Sequence, residues 1–266
     1  LSFGGKELRI EFLSSSGTFS NIERLTENTP FNRPDAIVFD LGVCSTQLDE
    51  AERGFSFKYD GPLDMRMSKT GKSAADVVNS IPESKLANII YNYGDERASR
   101  RIARAISARR AQKPLIRTAE LAQIVRSVLP RAQKGKSDPA TRTFQALRIY
   151  VNNEIDELCD ALLASERILQ EGGILAVVSF HSIEDRIVKR FMRERAGLSS
   201  QPSRHQPFQS DIKPTFRLSP QRPISPEVDE IMINPRARSA KLRIAIRTAA
   251  AAKKAFNKHE MVRGRS

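Results

Sequence analysis

Pro34-Asp35-Ala36-Ile37-Val38-Phe39-Asp40-Leu41-Gly42 is the stretch that sets the fold class of this 266-residue chain. Four apolar residues in a row, bounded by turn formers, read as a short strand buried on both faces, as in a parallel sheet. A second such run, Gly173-Ile174-Leu175-Ala176-Val177-Val178-Ser179-Phe180, lies far down the chain. It follows a long helical pattern with Phe144, Leu147, Val151, Ile155, Leu158 and Leu162 on one face, stopped by Gly172-Gly173. A further helix comes next, with Ile183, Ile187, Val188 and Phe191 on one side. Strand, helix and strand in alternation predict an α/β fold. Other strands are expected at Leu8–Leu13, Thr215–Leu218 and Lys241–Arg247.

Between the two apolar runs the sequence turns helical. A loop from Arg53 to Met67 precedes helical patterns over Glu83–Tyr91, Glu96–Arg110 and Thr118–Leu129, the last with Thr118 as N-cap and Pro130 as its stop. This stretch also carries charge. The chain has 44 Lys+Arg against 31 Asp+Glu, a net +13. Residues 94–148 hold fourteen basic and four acidic residues, and residues 236–266 hold ten basic and one acidic. Two basic blocks therefore sit on a mildly acidic body, which predicts a polyanionic partner, nucleic acid above all. No apolar run approaches the length of a membrane span. Two cysteines, Cys44 and Cys159, exclude a disulfide framework and fit a reducing, cytoplasmic compartment.

Open α/β sheets bind ligands at the carboxyl ends of their strands. Asp40, with Gln47 downstream, follows one apolar run, and His181-Ser182-Ile183-Glu184-Asp185 follows the other. Asp40 could accept hydrogen bonds from an amine or a ribose, or merely cap a turn. Ser182 reads as the cap of the next helix, with Asp185 completing a capping box. The three histidines, His181, His205 and His259, are too far apart in sequence for a metal site. No nucleophile–base pair and no phosphate-cradling glycine loop is evident.

Longer blocks now become recognisable. Asp40-Leu41-Gly42-Val43-Cys44-Ser45-Thr46-Gln47-Leu48-Asp49 resembles the Asp-Leu-Gly-Val-Ser-Ser-x-Gln-Leu-Asp motif of the bacterial 16S rRNA cytosine-N4 methyltransferases, the MraW/RsmH family. The similarity continues through Asp60-Gly61-Pro62-Leu63-Asp64-Met65-Arg66-Met67, Pro139-Ala140-Thr141-Arg142-Thr143-Phe144-Gln145, Ser179-Phe180-His181-Ser182-Ile183-Glu184-Asp185-Arg186 and Asn234-Pro235-Arg236-Ala237-Arg238-Ser239. Cys44 stands where the family usually has Ser.

The resemblance implies a Rossmann-like class I methyltransferase fold interrupted by a helical substrate-recognition insertion. On that reading residues 1–50 and 139–248 form the methyltransferase domain, 51–138 the insertion and 249–266 a basic tail. It implies S-adenosylmethionine as donor and a cytidine of the 16S rRNA decoding region in the small ribosomal subunit as acceptor, with no membrane partner; a homodimer stays open. Phe19, Asp40 and Gln47 match donor-binding positions. Asp40, His181 and Ser182 are the catalytic candidates, and Arg97, Arg100, Arg101, Arg104 and Arg142 are candidates for rRNA phosphates. Phe55 and Phe57 could stack on the target base or pack in a core. The rival from another class is a non-catalytic RNA-binding or ribosome-assembly protein. A DNA amino-methyltransferase would need an Asn/Asp/Ser-Pro-Pro-Tyr/Phe motif where Asp40-Leu41-Gly42-Val43 stands.

One departure is large. The family's Asp-Gly-Thr-x-Gly-x-Gly-Gly-His loop, which holds the methionine part of the donor, and the strands around it have no counterpart in this sequence, so the chain is expected to be an N-terminally truncated, inactive form. Titration calorimetry with S-adenosylmethionine checks this: binding should be much weaker than micromolar, and micromolar affinity would overturn it.

Overall fold

The computed structural model describes residues 13–68, 70–130, 138–198 and 213–253. Of the strand expected at Leu8–Leu13 only Leu13 is described, without regular structure, and the tail beyond Lys253 lies outside these residues. Four strands form one mixed sheet: β1 (Ala36–Asp40), β2 (Ile174–Ser179), β3 (Phe216–Leu218) and β4 (Lys241–Arg247), in the order β1-β2-β4-β3. The β1–β2 pair is parallel, with Ala36 opposite Ile174 and Asp40 opposite Val178. β4 runs antiparallel to β2, and β3 antiparallel to β4.

Ten α-helices accompany the sheet among the described residues: α1 (Ile22–Thr26), α2 (Ser45–Asp49), α3 (Ala74–Ser80), α4 (Glu83–Gly94), α5 (Ser99–Arg110), α6 (Thr118–Val128), α7 (Thr141–Val151), α8 (Glu154–Ile168), α9 (Ser182–Arg195) and α10 (Val228–Ile233). Helices α8 and α9 lay Leu158, Leu162, Ile183, Ile187 and Phe191 against Ile37, Phe39, Leu175 and Val177 of the sheet. That core covers one face of the strands. Burial along β1 therefore alternates, with Ile37 and Phe39 buried and Val38 68% exposed. The expectation of a strand buried on both faces does not hold among the described residues, because an unbroken apolar run cannot say how many faces are covered.

A second hydrophobic cluster joins α3 to α7 with the Arg53–Met67 loop: Leu63, Met65, Val78, Leu86, Ile90, Ile102, Leu121, Phe144 and Leu147 are all nearly or fully buried. The loop folds back tightly at Gly54, whose φ of +68° and whose closeness to the Pro62 carbonyl leave no room for a Cβ. Phe55 belongs to this cluster, and Phe57 packs edge-on against Phe144 at 4.8 Å, so both aromatics serve packing.

The long helix expected from Phe144 to Leu162 is two helices. Asn153 takes a left-handed φ of +52° and breaks the pattern between α7 and α8. The side chain of Asn152 fixes the break: its Nδ2 donates to the carbonyls of Arg148 (2.9 Å) and Met65 (2.7 Å), and its Oδ1 accepts from Met67 N–H (2.8 Å). Arg148 spans the break with two 2.8 Å bonds to Glu154. Apolar spacing survives the break, which is why periodicity alone does not reveal it.

Two other corrections concern helix starts. α5 begins at Ser99 rather than Glu96, and Arg117, not Thr118, occupies the cap position of α6. Thr118 is buried, and its hydroxyl accepts from Gly61 N–H at 3.0 Å, tying the loop to the helix.

Candidate active site

Parallel pairing brings the carboxyl ends of β1 and β2 together, and Leu41 N–H extends the ladder by donating to Val178 C=O at 3.1 Å. A cavity of about 470 Å³ opens beside this edge. It is lined by Gly17, Thr18 and Phe19, by Leu41 and Gly42 after β1, by Met67, Ser68 and Thr70 of the loop, by Val151–Glu154 across the helix break, and by Glu157, Leu158 and Glu184. That volume lies within the range of small-molecule sites.

Phe19 opens a 3-10 turn, Phe19–Asn21, and its ring lies 5.5 Å from the Phe39 ring at a 51° tilt. Ser20 N–H donates to Glu157 Oε2 at 3.2 Å, which fixes the turn against α8. The ring stays 43% exposed, a flat apolar face beside the cavity. Asp40 is exposed at the end of β1 and has no hydrogen-bond or ion-pair partner among the described residues. Gln47 caps the start of α2, its Oε1 accepting from Cys44 N–H at 3.1 Å. The exposed Cys44 thiol lies 2.8 Å from the Thr46 hydroxyl. Neither Asp40 nor Gln47 lines the cavity, whereas Phe19 does.

His181, not Ser182, is the N-cap of α9, and Glu184, not Asp185, is its capping-box partner. Glu184 N–H donates to His181 Nδ1 at 3.4 Å, and Glu184 Oε2 accepts from the N–H groups of Phe180 (3.0 Å) and His181 (3.3 Å). Ser182 instead donates to Asp95 Oδ2 at 3.0 Å, where Arg186 also donates at 2.9 Å. This ties the left-handed end of α4 to the start of α9. Asp185 pairs with Arg243 at 2.7 Å and Lys241 at 3.3 Å. A frame shift of one residue in reading the capping box hid Glu184, and no local signal marks Glu154 and Glu157 as facing a common space.

Glu154, His181 and Glu184 place one ligand-type atom each within 4.8 Å of one another, a grouping that histidine spacing alone misses. The donor set is nevertheless already engaged. Arg148 holds both oxygens of Glu154. The Nδ1 of His181 accepts a backbone N–H, so the neutral ring carries its proton on Nε2, 2.9 Å from Glu184 Oε1. No ring lone pair is left for an ion. Burial pushes the Glu184 carboxyl up, but the adjoining His181 ring, the charge of Arg148 and the Phe180 N–H outweigh it, and hold it below the usual carboxylate value.

Of the basic candidates, Arg97 and Arg100 are exposed and without partner among the described residues. Arg104 lies 4.0 Å from Glu83, with its side chain 80% exposed. Arg101 donates to Val128 C=O, and Arg142 to Asp95 C=O at 3.3 Å while lying 3.8 Å from Glu96.

The MraW methylase family profile matches residues 5–248. The chain belongs to the MraW methylase family. A relative from Paramagnetospirillum magneticum named ribosomal RNA small subunit methyltransferase H is 54% identical over 243 residues, 91% of this chain and 76% of the relative. A Cereibacter sphaeroides protein of the same name is 55% identical over 239 residues, 90% of this chain and 71% of its own length. Another from Jannaschia sp. is 53% identical over 248 residues, 93% of this chain and 73% of its own. The mixed α/β architecture agrees with a methyltransferase fold, and membership in this enzyme family implies a methyl donor. An exposed aromatic ring and a glycine edge beside a cavity suit the nucleoside part of such a donor. No helix among the described residues is long and apolar enough to cross a membrane.

The depressed Glu184 carboxyl makes a pH prediction. A lowered folded value means that its stabilisation is complete above about pH 4.3, the unperturbed glutamate value, and is lost as pH falls through the folded value. Glu184→Gln should cost about 1–3 kcal/mol near neutral pH. That deficit should shrink progressively in acid, as read from urea melts of both proteins across pH.

Proposed function

We propose that the protein serves N4-methylation of a cytidine in the decoding region of 16S rRNA, with S-adenosylmethionine as donor. The observation that carries this reading is the cavity itself: in a member of this family it lies between the carboxyl edge of the parallel pair and the Met67, Ser68 and Thr70 side of the loop that packs into the helical cluster. The names of the relatives support an rRNA substrate. We assign the sheet to donor binding and residues 51–138, which include α3 to α6, to recognition of the RNA.

S-adenosylmethionine, when bound, supplies an electrophilic methyl carbon. The chain has three tasks. Phe19 offers a face for the adenine, and Asp40 and Gln47, outside the cavity lining, are the candidates for polar contacts where the donor extends past Gly42. The target base must leave its stack to reach the cavity, as bases do in other enzymes that act on them. The N4 lone pair of cytosine is delocalised into the ring, so the protein must align the amine and accept its hydrogens for the nitrogen to become nucleophilic. His181 acts here by orienting Glu184, and Ser182 by holding Asp95.

Mass-spectrometric mapping of small-subunit rRNA from cells with and without the gene tests the function. One N4-methylcytidine should disappear on deletion, and an unchanged methylation map would sink the reading in favour of a non-catalytic assembly protein. The arginines are tested separately. Replacing Arg97, Arg100 and Arg104 together by Glu should weaken RNA binding and lower the slope of log K against log salt by roughly 2, at about 0.7 per single-strand phosphate contact. An unchanged slope would place the RNA face elsewhere.

A further inference from the structure

We propose that Glu184 is the residue that selects an amine-bearing base, accepting a hydrogen bond from the exocyclic amino group of cytosine and turning uracil away; this rests on the cytidine reading above. The argument begins with the charge of the cavity wall. Its titratable lining consists of Glu154, Glu157 and Glu184, and none of the described lining residues is Lys, Arg or His. Such a wall accepts hydrogen bonds and has no cationic donor to offer.

The three carboxylates are not equivalent. Both oxygens of Glu154 are engaged by Arg148. Glu157 uses one oxygen on Ser20 N–H, beside Phe19, at the end of the cavity suited to the donor. Glu184 is 4% exposed, yet reaches the cavity. Its Oε2 accepts two backbone N–H groups, while Oε1 meets only His181 Nε2 at 2.9 Å. An ionised carboxylate has about four acceptor positions, so Oε1 keeps one for a ligand. The two backbone donors and the adjoining His181 ring also hold the carboxylate in place before any ligand arrives, so little ordering is left for binding.

Cytosine presents an N4 amino donor at this edge, and uracil presents an O4 acceptor. Against Glu184 the first makes a charge-assisted hydrogen bond. The second sets lone pair against lone pair, and no cationic side chain lines the cavity to relieve it. A buried polar group left unpaired in this way is what gives a hydrogen-bonding site its discrimination.

Titration of the 266-residue chain with free cytidine and free uridine as probes tests the proposal. The wild type should prefer cytidine by about tenfold or more, and Glu184→Gln should bring the two affinities close to equal. Asp185→Asn removes the adjacent carboxylate, whose partners are Arg243 and Lys241, and should keep the preference, which separates selection from general loss of stability. If Glu184→Gln does not fold by circular dichroism, Glu184→Asp withdraws the oxygen by one methylene and should give an intermediate ratio. Equal affinities in the wild type, no binding of either nucleoside up to millimolar concentration, or a preference undiminished from wild type in the folded Glu184 variant overturns the proposal. The rRNA map reads the function independently: N4-methylcytidine lost on deletion together with equal nucleoside binding refutes the selectivity alone, and an unchanged map with the preference intact refutes the function alone.

Discussion

The parallel pairing of Ala36–Asp40 with Ile174–Val178 is the constraint on which the rest of the molecule depends. Two parallel neighbours must finish at the same edge of the sheet, so Leu41-Gly42 and Phe180-His181 emerge side by side although more than a hundred residues separate them in sequence. The chain between them cannot be a tight turn, because a parallel crossover needs room. Here it builds a second core of its own and returns through α7 and α8. A slip of one residue in this register would turn Ile37 and Phe39 away from α8 and α9 and expose the apolar face.

The two hydrophobic clusters are joined by polar contacts as well as by packing. Arg148 and Glu154 bridge the break between α7 and α8, Asn152 holds the loop at Met65 and Met67, and Asp95 reaches Ser182 and Arg186 on α9. Such bonds have strict geometry, so they fix the walls of the cavity more narrowly than apolar contacts could. At the far end of the sheet a buried pair, Arg195 and Glu166 at 2.8 Å, does the same for α8, α9 and β3, with Thr215 also donating to Glu166 at 2.6 Å. Unpaired, either charge would be costly at that depth.

The strands β1, β2 and β4 and helices α4, α6 and α9 were readable in the sequence, since each buries one face and its apolar spacing records that burial. Among the site residues Phe19 was legible through the family resemblance, and it lines the cavity. Glu184 lies inside a stretch that the sequence singles out, but the Ser182/Asp185 spacing fits a capping box as well as His181/Glu184 does, and only the backbone at His181 separates them. Glu154, Glu157 and Asn152 carried no signal. Their role comes from the left-handed turn at Asn153, and a single such residue leaves the hydrophobic period intact on both sides.

By itself the sequence determined an α/β chain with a helical stretch between its parallel strands, two basic blocks and membership in a methyltransferase family. These are properties of pattern, composition and motif, which are local and additive along a chain. Only the tertiary structure decided that one face of β1 is open among the described residues and that His181 holds Glu184 rather than standing free. It also decided that three carboxylates from α8 and α9 share one cavity with Phe19. Those facts depend on where distant segments meet, and hydrogen-bond geometry across a register and a helix break sets that meeting, which no window of sequence contains.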